Sequence, residues 1–293
     1  MLLSPGERLD DRYRVQKLLG SGATGEVWAG QGPNGPVAIK VLLERVARRT
    51  DVRKRFEREA QSAQRINSPF VCPLLDRGIT CDGSLFLAFE LLRGESLADR
   101  LNRERFLAFD ELAPQMSDVL EGIADAHKAG VLHRDLKPGN IFLKQSQQGE
   151  HAIILDFGLC KVMRDTRSVQ EPSLTAINTT VGSLAHIAPE QIRGAAHVDE
   201  RADLYAMASV AFRALTGCLP FDATSAQMIA SLKLEKPPPT LEQATGMRWP
   251  RFLEEFFATG LARTPDHRFA SAQQAAAHWT EARTIMSRVR SHT

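Results

Sequence analysis

The most constraining part of the sequence is the run His133-Arg134-Asp135-Leu136-Lys137-Pro138-Gly139-Asn140, which is followed sixteen residues later by Asp156-Phe157-Gly158. Two short apolar segments, 141–143 and 152–155, lie between these motifs and are predicted to be strands on either side of a polar turn. Asp156 is therefore expected at a strand end and Asp135 in the preceding loop. We interpret the two motifs as parts of one site.

The polar residues of these motifs suit phosphoryl transfer. Such a reaction needs a group that orients the acceptor hydroxyl and takes its proton, and it needs positive charge near the phosphate oxygens. Asp135 can do the first, and Lys137 places a positive charge beside it. Asn140 and Asp156 offer the hard oxygen ligands that Mg²⁺ prefers, with water and phosphate filling the other positions.

A glycine-rich segment near the amino terminus, residues 20–25, has the pattern GxGxxG. Its glycines let backbone amides approach a phosphate without interference from a Cβ atom. Dinucleotide-binding folds share the pattern, but there it opens a helix, whereas residues 12–19 and 26–29 here are predicted to be strands. A glycine-rich hairpin of purely structural value is the remaining alternative.

Together these motifs resemble those of protein kinases, and the chain looks like a bacterial member of the eukaryotic-type serine/threonine family. The resemblance also rests on Val37-Ala38-Ile39-Lys40 and Ala188-Pro189-Glu190, and it covers about residues 12–283. It implies an α+β, two-lobed protein-kinase-like fold. A small antiparallel β lobe of five strands and one helix, residues 1–91, would precede a larger, mostly α-helical lobe, residues 92–293.

The resemblance implies a binding site for ATP. Lys40 would hold the α- and β-phosphates and pair with Glu59 on a helix predicted over 50–66; Glu57 lies about 200° away around that helix and should face water. Phe89 would be the gatekeeper, unless this hinge segment is only a strand end before a glycine turn. The predicted ATP-binding residues are Leu19, Gly20, Ser21, Gly22, Ala23, Thr24, Gly25, Val27, Ala38, Lys40, Glu59, Glu90 and Leu92, the last two through their backbone.

The resemblance also gives roles to the central motifs. Asp135 and Lys137 would be catalytic, and Asn140 and Asp156 would bind Mg²⁺, with Mn²⁺ as an alternative. His133 would pack beneath Phe157 and would not act as a base. Asp203, in a helix predicted to run to about residue 215, would anchor the catalytic loop.

The segment 156–190 resembles an activation segment. Its candidate phosphorylation sites are Thr175, Thr179 and Thr180, and the Ser183 hydroxyl would bridge the two catalytic residues. Arg134 would bind a phosphate on this segment. The alternative is that these residues have no regulatory role, because Ser and Thr are common in flexible loops. Autophosphorylation in trans would involve a homodimer.

Farther on, Glu190 and Arg268 are predicted to form a buried structural pair.

The sequence departs from the family pattern before the Ala-Pro-Glu motif and at Ala208, and a cysteine, Cys160, follows the Asp-Phe-Gly motif. His186 and Ile187 replace the usual aromatic residue and methionine before the Ala-Pro-Glu motif, which puts peptide specificity in doubt. Ala208 stands where glycine is expected, a change that a slightly looser backbone contact could absorb. Cys160 is predicted to be a small buried residue, with redox sensitivity as the alternative.

Bulk properties exclude several other classes. The net charge of +2, from 37 basic and 35 acidic residues, gives no electrostatic case for nucleic acid. No stretch approaches the ~20 apolar residues of a membrane span. The four cysteines form no CxxC pair, so neither a zinc site nor a disulfide framework is indicated. These features predict a cytoplasmic protein.

The sequence therefore predicts an active serine/threonine protein kinase that phosphorylates Ser or Thr hydroxyls of proteins, since Lys137 favours these over tyrosine. An ATP-binding pseudokinase scaffold is the alternative, motivated by the unusual docking segment around His186. A small-molecule phosphotransferase could share the central motif, but its class lacks the Ala-Pro-Glu motif. The sequence specifies neither the protein substrate nor the activating signal.

Overall fold

The computed structural model describes residues 3–22, 25–42, 50–80, 82–147, 149–157, 184–194 and 198–290. Within these ranges it describes only the backbone of residues 22, 50–53, 55, 59 and 288–290.

An antiparallel sheet forms the small lobe. Its strands are β1 (Arg8–Leu9), β2 (Tyr13–Gly22), β3 (Gly25–Gly32), β4 (Gly35–Leu42), β5 (Leu74–Ile79) and β6 (Leu85–Glu90), in the order β1-β2-β3-β4-β6-β5. The five expected strands are present, and the two-residue β1 adds a sixth at the edge. The apolar run at about 70–76 predicts a strand, but β5 begins only at Leu74 and continues to Ile79.

Helix α1 (Thr50–Ala63) packs against this sheet. Its apolar positions Phe56 and Ala60 are buried against Leu42 and Leu87, as their spacing of four residues on a helix requires. The helix ends at Ala63, three residues before the predicted end.

Residues 70–72, before β5, pair with the large lobe instead of the sheet. The backbone of Ile154 donates to the Phe70 carbonyl at 2.8 Å, and the amide of Cys72 donates to the Ile154 carbonyl at 2.9 Å. Val71 between them is buried in the core of the large lobe. The polypeptide therefore contacts the large lobe here, before it forms the last two strands of the small-lobe sheet.

The large lobe is mostly helical, with a three-stranded sheet near its first helix. The strands are β7 (Gly94–Ser96), β8 (Ile141–Ser146) and β9 (Gly149–Ile154), in that order across the sheet. The helices are α2 (Leu97–Glu104), α3 (Phe109–Lys128), α4 (Pro189–Ile192), α5 (Arg201–Thr216), α6 (Ala226–Glu235), α7 (Leu241–Thr245), α8 (Arg251–Gly260) and α9 (Ala272–Arg290). This arrangement confirms the predicted α+β fold.

The apolar positions between residues 110 and 127 predict a helix capped by Asp110, but α3 begins one residue earlier, at Phe109. Ala108 occupies the N-cap position and makes no side-chain capping bond, so the prediction that Asp110 caps the helix is wrong. Asp110 instead lies in the first turn, where a carboxylate is favoured by the helix dipole. Pro114 is consequently the sixth helical residue and lies beyond the first turn.

Helix α5 lies at the centre of the large lobe, with most of its side chains buried. One close approach to it is made by Gly260, the last residue of α8, at Ala208. A Cβ atom added to Gly260 would lie 2.6 Å from the Cβ of Ala208, so α8 can approach α5 this closely only because residue 260 is glycine.

Candidate active site

The catalytic-loop candidates lie close together just before β8. The Lys137 Nζ atom is 2.8 Å from Oδ2 of Asp135, and the side-chain amide of Asn140 donates to the Asp135 backbone carbonyl at 2.9 Å. A single 3-10 turn, Pro138–Asn140, leads into β8 and brings Asn140 back beside Asp135. The Asp135 side chain is 12% exposed, so it is held in place and still reaches the surface.

Asp203 of α5 holds the backbone of this loop from below. Its two carboxylate oxygens accept hydrogen bonds from the amides of His133, at 2.8 Å, and Arg134, at 2.7 Å, and Nε2 of His127 lies 2.9 Å from Oδ2. Burial opposes the charge of Asp203, but the hydrogen bond and charge of His127 outweigh it, so the pKa of Asp203 lies below its ordinary value. The charged form suits its role as acceptor.

His133 packs edge-on against Phe157, with the ring centroids 4.7 Å apart. Its Nε2 atom donates to the Leu155 carbonyl at 2.9 Å, and its Nδ1 atom accepts from the Asp135 amide at 3.2 Å. Both ring nitrogens are therefore occupied, which supports a packing role and leaves neither nitrogen to act as a base.

Asp156 follows β9 and faces Lys40 of β4. The Lys40 Nζ atom lies 2.6 Å from Oδ2 of Asp156, and the two side chains are 13% and 27% exposed. Asp156 adopts a left-handed backbone with φ of 59°, an uncommon conformation that turns its carboxylate away from the strand. Glu59, the predicted partner of Lys40, belongs to α1, but the structure describes only its backbone.

The glycine-rich segment forms the predicted hairpin between β2 and β3. Gly22 pairs with Gly25 at its end, while Ala23 and Thr24 lie outside the described residues. A Cβ atom on Gly25 would lie 2.0 Å from the Val41 carbonyl oxygen, so this position requires glycine. Among the other predicted residues, Leu19 is exposed, whereas Ser21 pairs with Glu26 and Gly20 pairs with Val27 across the strands.

The hinge candidates lie at the end of β6. Ala38 of β4 pairs with Phe89, which packs against the apolar cluster under α1. The Glu90 carboxylate accepts from Lys144 at 2.7 Å, and the Sγ atom of Cys72 lies 3.8 Å from the Glu90 carbonyl. Leu92 follows in the connection to β7 and is partly buried.

Glu190 and Arg268 meet in a bidentate ion pair. The two guanidinium nitrogens lie 2.7 and 2.8 Å from the two carboxylate oxygens, and the Arg268 side chain is fully buried. Arg268 also donates to the backbone carbonyls of Ala262, Arg263 and Arg201. These contacts fix the start of α4 to the loop after α8.

Gln191, which sequence reasoning did not assign to the site, connects this region to the catalytic loop. Its Nε2 atom donates to the Arg134 carbonyl at 3.0 Å, and its Oε1 atom accepts from the Ala188 amide at 3.2 Å. The sequence feature that could have indicated this role is the position of Gln191 in the first turn of a short helix, because an amide side chain there can donate and accept at the same time.

The activation-segment candidates Thr175, Thr179, Thr180 and Ser183 lie outside the described residues, as do Gly158 and Cys160. Their predicted roles therefore stay predictions. His186, which follows, is buried, and its Nδ1 atom lies 2.9 Å from Oγ of Ser209. Burial and the nearby charge of Lys233 lower the pKa of His186 to about 3, so this side chain is neutral.

The oxygen ligands proposed for a metal fit a site completed by phosphate. In the described part of the chain, no group of three His, Cys, Asp or Glu side chains could enclose a metal ion. Asn140 uses its NH₂ group on the Asp135 carbonyl, which leaves its amide oxygen to ligate. The Asn140 amide oxygen and the partly exposed Asp156 carboxylate would supply two protein ligands. Mg²⁺ bound to nucleotide phosphates takes only a few ligands from the protein, so this number fits.

The helices of the described chain include none that is both long enough and apolar enough to cross a membrane.

Comparison with known proteins gives consistent results. A family model described as the protein kinase domain matches residues 13–280. The serine/threonine-protein kinase pkn3 of Myxococcus xanthus is 35% identical over 272 residues, which is 92% of this chain and 49% of that protein. The serine/threonine-protein kinase PkaB of Streptomyces coelicolor is 37% identical over 222 residues, 73% of this chain and 51% of that protein.

The chain thus spans about half the length of these curated relatives. Among solved structures, the PknI kinase domain of Mycobacterium tuberculosis superposes with a TM-score of 0.71 at 28% sequence identity. That match covers 96% of this chain and 99% of the solved chain.

Proposed function

The chain belongs to the protein kinase family, and we propose that it transfers the γ-phosphate of ATP to serine or threonine hydroxyls of proteins. The observation that carries this proposal is the joint placement of Asp135, Lys137 and Asn140 in one loop, with Asp156 and Lys40 paired at 2.6 Å. All the charged groups that the reaction needs are present.

In the proposed mechanism Asp135 orients the acceptor hydroxyl and receives its proton. Lys137, 2.8 Å from that carboxylate, stabilises negative charge near the transferred group. Lys40 and the backbone of the glycine-rich hairpin hold the phosphates of the nucleotide, and the backbone at Glu90 and Leu92 binds adenine. Asp203 keeps the loop in shape by binding two of its amides.

We propose Mg²⁺ as the metal, held by Asn140 and Asp156, with Mn²⁺ as an alternative. When bound, the ion neutralises charge on the phosphate oxygens and fixes their orientation. Since Lys40 and Asp156 lie in contact, the lysine keeps the carboxylate oriented at the mouth of the site.

The regulatory part of the proposal concerns the segment before Ala188. We propose autophosphorylation at Thr175, Thr179 or Thr180, with Arg134 as the phosphate-binding residue and a homodimer as the form that reacts in trans. Residues 1–91 and 92–293 are proposed as the two lobes of a kinase domain at about 12–283. The need for ATP favours the cytoplasm as the site of action.

The decisive experiment measures transfer of labelled γ-phosphate from Mg-ATP to the protein itself and to a generic basic protein. Asp135→Asn and Lys40→Ala are the inactive controls. Label on Ser or Thr in the wild type alone is expected, and mapping it tests the three threonines. Binding of ATP without any transfer would overturn the kinase proposal in favour of a pseudokinase scaffold.

A further inference from the structure

A buried lysine on α6 serves no purpose in the mechanism above. Lys233 is 1% exposed, and it is the only lysine in the described chain that falls in the buried class. It lies beside an apolar cluster in which Leu184 and Ile187 of the docking loop, residues 184–188, pack against Ile229 and Ala230 of α6. A buried ammonium in such surroundings is costly unless its hydrogens are bonded.

Two of the three N–H groups of the Lys233 ammonium have backbone acceptors. Its Nζ atom donates to the backbone carbonyls of Ala185, at 2.8 Å, and Ile187, at 2.7 Å. The ammonium also makes a cation–π contact, since Nζ lies 5.1 Å from the ring centroid of Tyr205. Arg268 lies over the same ring at 4.8 Å, so Tyr205 places Lys233 next to the Glu190–Arg268 pair.

The two carbonyls bound by Lys233 lie on either side of His186. Nδ1 of His186 is 2.9 Å from Oγ of Ser209 on α5, so the docking loop is held from both α6 and α5. The space between this loop and the catalytic loop is lined by Asp135, Lys137, His186 and Ile187. A shift of the loop backbone at residues 185–187 would therefore change the space directly beside Asp135.

We propose that Lys233 is a positioning residue for protein substrates: by binding the carbonyls of Ala185 and Ile187 it fixes the docking loop against which the acceptor segment lies beside Asp135. The proposal rests on the proposed kinase activity. It assigns Lys233 no contact with ATP, because its bonds go to the docking loop and to Tyr205. Replacing Lys233 should therefore lower the rate of transfer to a protein acceptor more than it changes the binding of ATP.

The charge state of Lys233 is finely balanced by its surroundings. Burial, and then the positive charge of Arg268, lower its pKa to about 7, and the negative charge of Glu190 offsets this only in part. His186, the titratable side chain of the docking loop, is neutral near this pH because its own pKa is about 3.

The test compares Lys233→Met, which keeps the length of the side chain but removes its donors, with Lys236→Met as the matched control. Lys236 follows the same helix and is exposed. Two rates are measured for each variant: phosphorylation of a generic basic protein and hydrolysis of ATP, in which water replaces the protein hydroxyl. For Lys233→Met we expect the ratio of kcat/KM for protein to the hydrolysis rate to fall at least tenfold, with KM for ATP changed less than twofold.

The control should leave the ratio unchanged. Equal loss of both rates in Lys233→Met would mean that the residue acts only through global folding, and would overturn the proposal, as would an unchanged ratio. If Lys233→Met does not fold, Lys233→Gln replaces it, because the amide retains a donor and a partial fall in the ratio is then expected.

A second measurement separates this proposal from the kinase proposal. Hydrogen exchange of the amides of 184–188 is expected to be at least tenfold faster in the Lys233 variant than in the Lys236 control. If the wild type transfers no phosphate at all, the kinase proposal fails, and this exchange result alone decides whether Lys233 holds the loop. Equal exchange in both variants would overturn the positioning role.

Discussion

Asp203 and Arg134 are joined by a hydrogen bond of 2.7 Å, from the backbone amide of Arg134 to Oδ1 of the buried carboxylate. Arg134 has φ of 64°, a left-handed conformation that a non-glycine residue adopts at some cost. The carboxylate offsets that cost, so the shape of the loop that holds Asp135 depends on a residue of a different helix.

Replacing this carboxylate should disturb both stability and catalysis. Asp203→Asn turns one acceptor into a donor that faces a backbone N–H group, so we expect a loss of about 2–4 kcal/mol in the free energy of unfolding. Denaturant unfolding measures the loss, and kcat should fall in the folded variant. Asp222→Asn, an exposed position, is the control and should change stability by less than about 0.5 kcal/mol. Equal stability of the two variants would contradict this account.

The Glu190–Arg268 pair should be strongly coupled. Glu190→Gln leaves the fully buried Arg268 guanidinium without its carboxylate, for which we expect a loss of about 3–5 kcal/mol in denaturant unfolding. Adding Arg268→Met to that variant removes the unpaired charge and should restore part of the loss. If the losses from the two single changes simply add in the double variant, the pair is not the source of the effect.

The contact of Ala208 with Gly260 predicts a compensating pair. Gly260→Ala adds a Cβ atom 2.6 Å from that of Ala208, and we expect a loss of about 1–3 kcal/mol in spite of the better helix propensity of alanine. Ala208→Gly in the same chain removes the clash and should recover at least about 1 kcal/mol of it. A double-mutant cycle from thermal unfolding measures this coupling, and additive losses would show that the helices adjust freely.

The buried Lys233 predicts a pH dependence of stability. Because burial and then Arg268 lower its pKa to about 7 from its ordinary value of 10.5, with Glu190 offsetting this only in part, the unfolded chain binds more protons between these values. The contribution of Lys233 to stability should therefore be lowest below about pH 7 and should rise with pH up to about 10.5, by at most about 1.4 kcal/mol per pH unit.

The measurement is the difference in unfolding free energy between the wild type and Lys233→Met from pH 6 to 10. His186, the titratable side chain of the docking loop, has a pKa of about 3 and stays neutral over this range, so it does not contribute to the difference. Lys236→Met should follow the wild-type curve. Parallel curves for the wild type and Lys233→Met would mean that the lysine titrates normally in the folded protein.

The fold and the central chemistry were accessible from the sequence because they are encoded locally. Asp135, Lys137 and Asn140 lie within six residues of one another, so a single loop brings them together. Periodicity likewise located α1 and α3. Errors of one to four residues arose at element ends, as at Asp110 and β5. Before β5, backbone pairing of residues 70–72 with the distant Ile154 decides the boundary.

The supporting contacts were not accessible in this way. Lys233 lies 46 residues from Ile187 along the chain, and nothing in the local pattern of α6 shows that its ammonium turns inward. The partner of Ala208 was not accessible for the same reason. Gly260, 52 residues later, leaves room for the Ala208 Cβ atom where α8 meets α5. Such pairs are formed only by the packed structure.

The pairing of residues 70–72 with Ile154 has a mechanical consequence. The small lobe is fastened to the large one where Val71 enters the large-lobe core, and again where the chain passes from Glu90 toward β7. A body attached at two points has one easy motion, which is rotation about the line that joins them. If the ion pair between Lys40 and Asp156 breaks, we expect the two residues to separate by a swing about an axis through Val71 and the end of β6, in which the glycine-rich hairpin moves farther than Phe89.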